Sequence, residues 1–281
     1  MSNRISNSWK LVKASAAVLK ADKELIVFPI ISTICILIVI ASFAIPSVLS
    51  GLVTFPLEEN PIPPIGFVVG FLFYLSVYFV AFFFNSALVG AAMIRLRGGD
   101  PTVNDGLRIA TQRMGAIFGY ALISATVGMI LQALSERLPF MGKIVISMIG
   151  MAWGLATHLV VPVLVVEGVG PVEGVRRGGE LLKKTWGEQI VGNHGIGIIF
   201  VLVSLGVSLA SIPIIGAAIT SGSQAMIVLS VSLLVLLIVM ISLLSATLGG
   251  IYSAAVYLYA VGGKTSGFFS QELVQGAFRS K

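Results

Sequence analysis

AMIVLSVSLLVLLIVMISLLSATLGGIYSAAVYLYAV, residues 225–261, contains no Asp, Glu, Lys or Arg. It lies within an uncharged run of 75 residues that extends from Gln189 to Gly263. About twenty helical residues cross the roughly 30 Å hydrocarbon core of a bilayer, whereas this run would extend about 112 Å as one helix. The run must therefore fold back on itself, and we predict two membrane-spanning helices within it.

Four shorter uncharged runs precede the long one, at 25–57, 60–94, 114–135 and 144–166. Within the long run, the turn-forming sequence TSGSQ at 220–224 separates the two predicted helices. The last helix is too long for one crossing, so we expect it to tilt, to bend near Gly249 and Gly250, or to project into the cytosol. The sequence predicts an all-α polytopic membrane helical bundle with six spans, near Leu25–Leu52, Ile65–Ile94, Met114–Leu134, Ile144–Val166, Ile190–Ile219 and Ala225–Val261.

The composition also indicates a membrane protein, because 57% of the residues are hydrophobic and only 11% are charged, against about 25% charged in soluble domains. Of the 18 Lys and Arg residues, only Arg137 and Lys143 lie in the loops on the other side from the N-terminus. Because basic residues accumulate on the cytoplasmic side, we predict a multi-pass plasma-membrane protein with both termini in the cytoplasm. The same bias explains the net charge of +6, so nucleic acid is not an expected partner.

Three segments are predicted to form amphipathic helices on the cytosolic face of the membrane. They are residues 1–24, a segment opened by Asp100 as N-cap with Pro101 after it, and PVEGVRRGGELLKKTW at 171–186. Helices with an apolar stripe, a basic face and a terminal Trp lie along a membrane surface, and anionic lipid headgroups are the expected partner. The residues expected at this surface are Trp9, Lys13, Lys20, Arg108, Arg113, Arg177, Lys184 and Trp186.

The apolar faces of these helices are predicted from residues that recur every three or four positions. In the first helix the stripe is Ile5, Trp9, Val12, Ala16 and Leu19. In the second helix it is Val103, Leu107, Ala110 and Met114. In the third helix it is Val172, Val175, Gly179, Leu182 and Trp186, with Glu173 and Arg177 as an exposed ion pair on the opposite side.

Each predicted amphipathic helix is followed by two spans, which divides the chain into units at 1–95, 96–167 and 168–263. The sequence GLR at 106–108 recurs as GVR at 174–176. We therefore predict one transmembrane domain, 1–263, built as a threefold internal repeat, with 264–281 as a short cytosolic tail. Small residues four apart, such as Gly66 and Gly70, predict close helix contacts within the chain or, alternatively, in a homo-oligomer.

Three stretches carry a resemblance to a known family: SWKLVKAS at 8–15, VVPVLVVEG at 160–168 and GPVEGVRRGGELLKKTWGEQIVGN at 170–193. The chain resembles a family of uncharacterised prokaryotic six-span membrane proteins. That family is in turn similar to the membrane domain attached to some glycerophosphodiester phosphodiesterases. The chain departs from the pattern at Gly178 and Gly179, where relatives have Ser after the paired basic residues. The resemblance implies a membrane domain without an assigned activity, since the phosphodiesterase chemistry belongs to a separate soluble domain.

Polar side chains at membrane depth are the candidates for function, because placing them in lipid is costly. They are Asn85, Gln132, His158, Asn193 and His194. Pro162 has no N–H to bond the carbonyl of His158, so one interhelical hydrogen bond beside a kink is expected at this position. A proton relay or gate is the alternative, since histidine titrates near neutral pH. His194 is expected to be a solvated histidine near the interface.

No pattern in the sequence indicates catalysis, a metal site or a cofactor. The spans contain no carboxylate well inside the membrane, and two histidines with a single cysteine lack the spacing of metal ligands. GNHGIG at 192–197 does not match the dinucleotide-binding pattern. We therefore predict a non-enzymatic protein without a cofactor.

Two functions remain open at this point. The first is a lipid-associated protein that organises the membrane or supports a partner protein, which the sequence does not identify. The alternative is a transporter or channel for an uncharged solute or a lipid. The alternative predicts a polar cavity near the bilayer midplane that includes His158, Asn85 or Asn193, whereas a closed bundle with those groups paired locally favours the first function.

Overall fold

A computed structural model describes residues 2–50, 64–186, 195–262 and 267–269 of the chain. Within these ranges the chain forms ten α-helices, one 3₁₀ helix and no strand. The 3₁₀ helix, Lys23–Ile26, joins the first two α-helices. The α-helices are α1 (Ser2–Ala21), α2 (Val27–Leu49), α3 (Pro64–Leu96), α4 (Val103–Gln112), α5 (Met114–Arg137), α6 (Phe140–Ala156), α7 (Val160–Glu167), α8 (Pro171–Trp186), α9 (Gly195–Thr220) and α10 (Gln224–Gly262).

Five of the described helices are long and apolar enough to cross a bilayer. They correspond to the predicted first, second, third, fifth and sixth spans. The prediction of an all-α polytopic helical bundle is therefore confirmed, and the length and composition of these helices make the chain a membrane protein. The five segments are Lys23–Leu49, Pro64–Leu96, Met114–Arg137, Ile199–Thr220 and Gln224–Gly262.

The predicted fourth span, Ile144–Val166, is not a single helix. A turn at residues 157–159 divides it into α6 and α7. Pro162 cannot donate to the carbonyl of residue 158, and the N–H of Val160 bonds instead to the carbonyl of Thr157, 3.0 Å away. The proline therefore interrupts the helix, where the sequence analysis expected only a kink.

The two longest helices are α10, with 39 residues, and α3, with 33 residues. They measure about 58 and 50 Å, more than the roughly 30 Å hydrocarbon core requires. α10 continues through Gly249 and Gly250 as one unbroken helix, and the bend considered there stays a prediction. Its buried residues lie between Thr247 and Tyr257, and the helix contacts α1, α7 and α8.

The hydrophobic core lies at one end of the bundle. This end contains Lys23, Arg95, Arg113 and Arg177, and we name it the basic end. The core contains the C-terminal parts of α3 and α10, the N-terminal part of α5 and most of α7. Toward the opposite end, the long helices expose many large apolar side chains. Such exposure is expected of helices whose outer surface faces lipid.

Gly106 packs α4 directly against two spans. A Cβ at this position would collide with the ring of Phe28 in α2 and would lie 2.7 Å from the carbonyl oxygen of Ala87 in α3. Ala110, one turn further along α4, is also fully buried. α4 therefore uses its apolar side to contact protein, and only its opposite side is left for solvent or lipid headgroups.

The contact between α7 and α8 also depends on glycine. A Cβ on Gly174 would lie 2.5 Å from Cδ2 of Leu164, and one on Gly178 would lie 3.1 Å from the backbone nitrogen of Val160. Gly106 and Gly174, the matching residues of GLR and GVR, thus each contact a helix that comes earlier in the chain. α4 contacts α3, α8 contacts α7, and α1 contacts both α9 and α10. The threefold internal repeat stays a prediction.

The buried faces of α1 and α8 differ from the predicted apolar stripes. Trp9 is 49% exposed and Val172 is 72% exposed, although both were assigned to the stripes. Patterns of large apolar residues misplace these faces, because small residues make the closest contacts between helices. In the structure the buried residues are Leu11, Val12, Ala14, Ser15 and Val18 in α1, and Gly174, Gly178 and Leu181 in α8.

α4 begins at Val103, and Thr102 rather than Asp100 is its N-cap. The hydroxyl oxygen of Thr102 accepts from the N–H of Asp105 at 3.2 Å, and the Asp105 carboxylate accepts from the N–H of Thr102 at 3.1 Å. This capping box satisfies two N–H groups at the helix start. Its hydrogen bonds, chiefly that of the Thr102 hydroxyl, hold the pKa of Asp105 below its usual value. Asp100 pairs with Arg95 at 3.0 Å instead.

Candidate functional site

A half-open cavity of about 580 Å³ lies between α2, α3 and α10. α2 lines it with residues between Pro29 and Ile36, α3 with residues between Ala81 and Leu88, and α10 with residues between Val239 and Ser253. His158, in the turn between α6 and α7, completes the wall. The structure therefore brings His158 and Asn85, two of the predicted candidates, to the same cavity.

The polar side chains of the cavity lie far from the charged ends of the helices. Ser32 is nine residues after Lys23, and Asn85 is ten residues before Arg95. At the rise of an α-helix these separations are about 14 and 15 Å, close to half of the roughly 30 Å hydrocarbon core. If the charged residues mark the edge of the hydrocarbon layer, the cavity lies near its middle.

Two adjacent glycines of α10 have different roles at this cavity. A side chain on Gly250 would collide with Leu88 of α3, and its Cβ would lie 3.4 Å from Oδ1 of Asn85. Gly250 therefore allows the close approach of α10 that holds Asn85 in place. Gly249 lines the cavity, and no atom lies within 4 Å of the position that its Cβ would occupy.

Hydrogen bonds fix the turn that carries His158. The hydroxyl of Ser253 in α10 donates to the backbone carbonyl of His158 at 3.3 Å. This is the carbonyl that Pro162 leaves without a helical donor, so the backbone of His158 accepts one interhelical hydrogen bond. The role of its imidazole stays a prediction. The hydroxyl of Thr157 donates to the carbonyl of Trp153 at 2.7 Å. The turn thus holds the imidazole at the cavity wall, 6.4 Å from the ring of Tyr252 between centroids.

Replacing Ser253 with alanine is expected to destabilise the fold by about 0.5–1.5 kcal/mol, because the carbonyl of His158 loses its donor from α10. The loss of stability can be measured as a fall in the temperature at which half of the detergent-solubilised protein stays monodisperse. Ser76→Ala is the matched control, since the Ser76 hydroxyl bonds only to the carbonyl of Leu72 in its own helix. Equal shifts for both variants would show that the bond from Ser253 does not support the turn.

The cavity offers hydrogen-bonding groups in otherwise apolar walls. Its polar side chains are the amide of Asn85, the imidazole of His158 and the hydroxyls of Ser32, Thr33, Ser242 and Ser253. The hydroxyl of Thr33 donates to the carbonyl of Pro29 at 2.9 Å, so it serves the helix as well. Asp, Glu, Lys and Arg are absent from the described lining residues. The site is therefore suited to polar but uncharged groups.

The other intramembrane candidates do not join this site. Gln132 is exposed near the end of α5, and its amide donates to the carboxylate of Glu136 at 2.8 Å. Asn193 and His194 lie outside the residues that the structure describes.

The predicted surface residues fall into two groups. Lys13, Lys20 and Arg108 are exposed, and the Nζ of Lys13 lies 5.8 Å from the ring centroid of Trp9. Arg113 and Arg177 instead lie against the protein at the end of α7, the first beside Gly168 and the second 3.3 Å from Glu167. α8 includes Lys184 and Trp186, whose side chains lie outside the described part of the chain.

Glu167 links three helices at the basic end and was not singled out by the sequence analysis. Its Oε1 accepts a hydrogen bond from the hydroxyl of Tyr257 in α10 at 3.1 Å, and its Oε2 accepts one from Nε of Arg177 in α8 at 3.3 Å. Arg177 therefore pairs with Glu167, and with Glu180 at 3.7 Å, instead of the predicted Glu173. Glu173 bonds to Arg176 at 2.6 Å.

Among the residues that the structure describes, no group of three or more His, Cys, Asp and Glu side chains could hold a metal ion. The features of the candidate site that can bind a ligand are its apolar walls and its hydrogen-bonding groups.

The chain belongs to the family described as "Family of unknown function (DUF6159)", whose model matches residues 64–268. The matched range begins with α3 and includes the walls of the cavity contributed by α3 and α10. The match agrees with the resemblance to an uncharacterised family. Comparison with curated proteins and with solved structures found no match, so the wider resemblance to a phosphodiesterase-linked membrane domain stays a prediction.

Proposed function

We propose that the chain is a non-enzymatic membrane protein that takes up an uncharged amphipathic molecule, a lipid or a lipid-like solute, in the cavity between α2, α3 and α10. The observation that supports this proposal is one cavity of about 580 Å³ that contains both Asn85 and His158. Of the two functions that the sequence left open, this geometry favours a transporter or channel, because a closed scaffold does not need a cavity at mid-depth.

The chemistry of the walls selects the ligand class. Pockets that bind small molecules have volumes of about 300–1,000 Å³, mostly apolar walls and a few polar groups that orient the ligand. The cavity has this composition, and its described lining residues include no permanent charge. A charged ligand would be costly to hold at this depth without a partner. A molecule with one hydrogen-bonding group and an apolar body fits both requirements.

Filling the cavity at Gly249 tests this proposal. Gly249→Leu adds a side chain at a lining residue of the cavity, where no atom of another described helix lies within 4 Å of the Cβ position. Native mass spectrometry of the purified protein, or crosslinking with a photoreactive diacylglycerol, measures the bound uncharged lipid. We expect the variant to lose most of this lipid while it keeps its thermal stability.

Gly206→Leu in α9 is the matched control, since Gly206 also has open space around its Cβ and does not line the cavity. It is expected to retain uncharged lipid at the level of the parent protein. Equal retention by Gly249→Leu and Gly206→Leu would exclude the cavity as the binding site.

A second candidate function, organisation of the lipid surface, is supported by the exposed cations of α1 and α4. Lys13, Lys20 and Arg108 are directed away from the core, and each basic side chain near an anionic membrane surface contributes about 1 kcal/mol of attraction.

The distribution of Lys and Arg supports a multi-pass topology in a prokaryotic plasma membrane with the basic end in the cytoplasm. Labelling of Lys13 and Lys183 by a membrane-impermeant amine reagent tests this topology, and both should react only after the cells are opened.

A further inference from the structure

A second cavity, of about 520 Å³, lies at the basic end, where the C-terminal parts of α3, α4 and α7 meet. Its walls combine apolar side chains, among them Met93, Ile109 and Val165, with the two arginines Arg97 and Arg113. It shares no lining residue with the cavity proposed above. The two sites can therefore be tested separately.

The arginines of this cavity differ from the others at the basic end. Six arginines at this end have described side chains, and four of them pair with a carboxylate within 3.3 Å: Arg95, Arg108, Arg176 and Arg177. Arg97 and Arg113 have no carboxylate partner among the described residues. The two unpaired guanidinium groups thus lie at the same cavity.

The position of Arg113 is fixed by the backbone. Gly168, which ends α7 with φ of 69°, leaves the space that the guanidinium fills, since a Cβ there would lie 2.5 Å from Nη1 and 2.6 Å from Nη2 of Arg113. The side chain is only partly exposed. A partly buried guanidinium with five N–H donors, held beside a cavity without a carboxylate, is suited to an anion with several acceptor oxygens.

The helix ends around the cavity do not neutralise these charges. A helix C-terminus carries about half an elementary negative charge that acts within its last turn. At the end of α3, the carbonyls of Met93, Ile94 and Arg95 already accept from the N–H groups of residues 97–99. The partial charges of three helix ends together remain smaller than the two full charges of Arg97 and Arg113, so the helix ends alone do not cancel the positive charge of the cavity lining.

We propose that this cavity binds the phosphate group of an anionic phospholipid through Arg97 and Arg113. Arginine forms paired N–H···O bonds with phosphate oxygens, and the apolar walls formed by Met93, Ile109 and Val165 contact the glycerol and the first acyl carbons. The apolar walls favour a lipid over a free phosphate ion, because a free ion would leave them without a partner. The site lies at the charged ends of the helices, which is where headgroups lie.

The test compares two double variants of the full-length protein in nanodiscs that contain phosphatidylglycerol and phosphatidylcholine. Arg97→Gln with Arg113→Gln removes the charges of the cavity, and Arg137→Gln with Arg176→Gln removes two exposed charges outside it. Native mass spectrometry measures the retained phosphatidylglycerol. We expect retention to fall about thirtyfold in the first variant and to stay near the parent level in the second. Arg97→Gln alone, at an exposed position, is expected to give about a fivefold loss.

Three results would overturn the inference. Equal losses in the two double variants would show a general effect of net charge. Displacement of phosphatidylglycerol by excess inorganic phosphate would show a site for free anions. Reduced thermal stability with unchanged lipid retention would show that Arg97 and Arg113 only stabilise the helix ends.

Discussion

Replacing Gly106 with alanine is expected to destabilise the protein by about 1–3 kcal/mol. The added Cβ would overlap the ring of Phe28, which is fully buried, and would lie 2.7 Å from the carbonyl oxygen of Ala87. Because the second obstacle is backbone, the strain is relieved only if α4 moves away from α3. The loss can be measured as the fraction of detergent-solubilised protein that stays monodisperse after heating.

Gly70→Ala in α3 is the control for this prediction. No described atom outside its own helix backbone lies within 4 Å of the position of its Cβ, so the close helix contact predicted at Gly70 is not made by the described part of the chain. Alanine also favours a helix over glycine by about 1 kcal/mol. The control is therefore expected to be as stable as the parent protein or more stable. If Gly106→Ala behaved like Gly70→Ala, α4 would not be packed against α3.

Glu167→Ala, at the other side of the basic end, is expected to destabilise the protein by a similar amount, about 1–3 kcal/mol. The substitution leaves the hydroxyl of Tyr257, a residue only 2% exposed, without its acceptor, and it leaves Arg177 without the carboxylate that joins α8 to α7. The loss is again measured as thermal stability. The same measurement is made on Tyr257→Phe, which removes the hydroxyl that donates to Glu167, and on the double variant.

Two comparisons isolate the role of Glu167. Tyr257→Phe should cost less in the Glu167→Ala background than in the parent protein, because the two groups share one hydrogen bond. Glu173→Ala removes a carboxylate that is 45% exposed and pairs with Arg176, so it should cost less than about 1 kcal/mol. Additive effects of Glu167→Ala and Tyr257→Phe would mean that the hydrogen bond contributes nothing to stability.

The long helices could be predicted from the sequence, because charge-free length alone determines that a segment suits a bilayer. The interruption at residues 157–159 could not, because Pro162 either kinks or breaks a helix depending on what satisfies the released carbonyl. The donor is Ser253, which is 95 residues away in the chain. No local pattern reveals a partner at that distance.

The segments that form α1, α4 and α8 were predicted to be helical, but the buried contacts of α1 and α8 were predicted less well. Patterns of large apolar residues pointed to Val172 and Trp9, whereas the buried contacts of α8 use Gly174 and Gly178. Glycine scores poorly in hydropathy but allows the closest approach of two helices. The glycine shared by GLR and GVR was visible in the sequence. Its recurrence was the available sign that α4 and α8 pack through this residue.

Part of the candidate site could also be predicted. Asn85 and His158 were identified because amides and imidazoles are rare at membrane depth, and the structure places them at one cavity. Ser32 and Ser242 were not distinguished, because serines occur throughout the spans and most serve as small residues at helix contacts. Arg113 was assigned to the membrane surface and Arg97 was not singled out, since charge pairing depends on tertiary contacts.

The most direct test of the proposed function is an experimental structure of the protein in nanodiscs made from its own cellular lipid. Elongated density between α2, α3 and α10, with its polar end beside Asn85 and His158, is the predicted result. A bundle in which α10 closes against α2 and leaves no space at Gly249 would contradict the proposal.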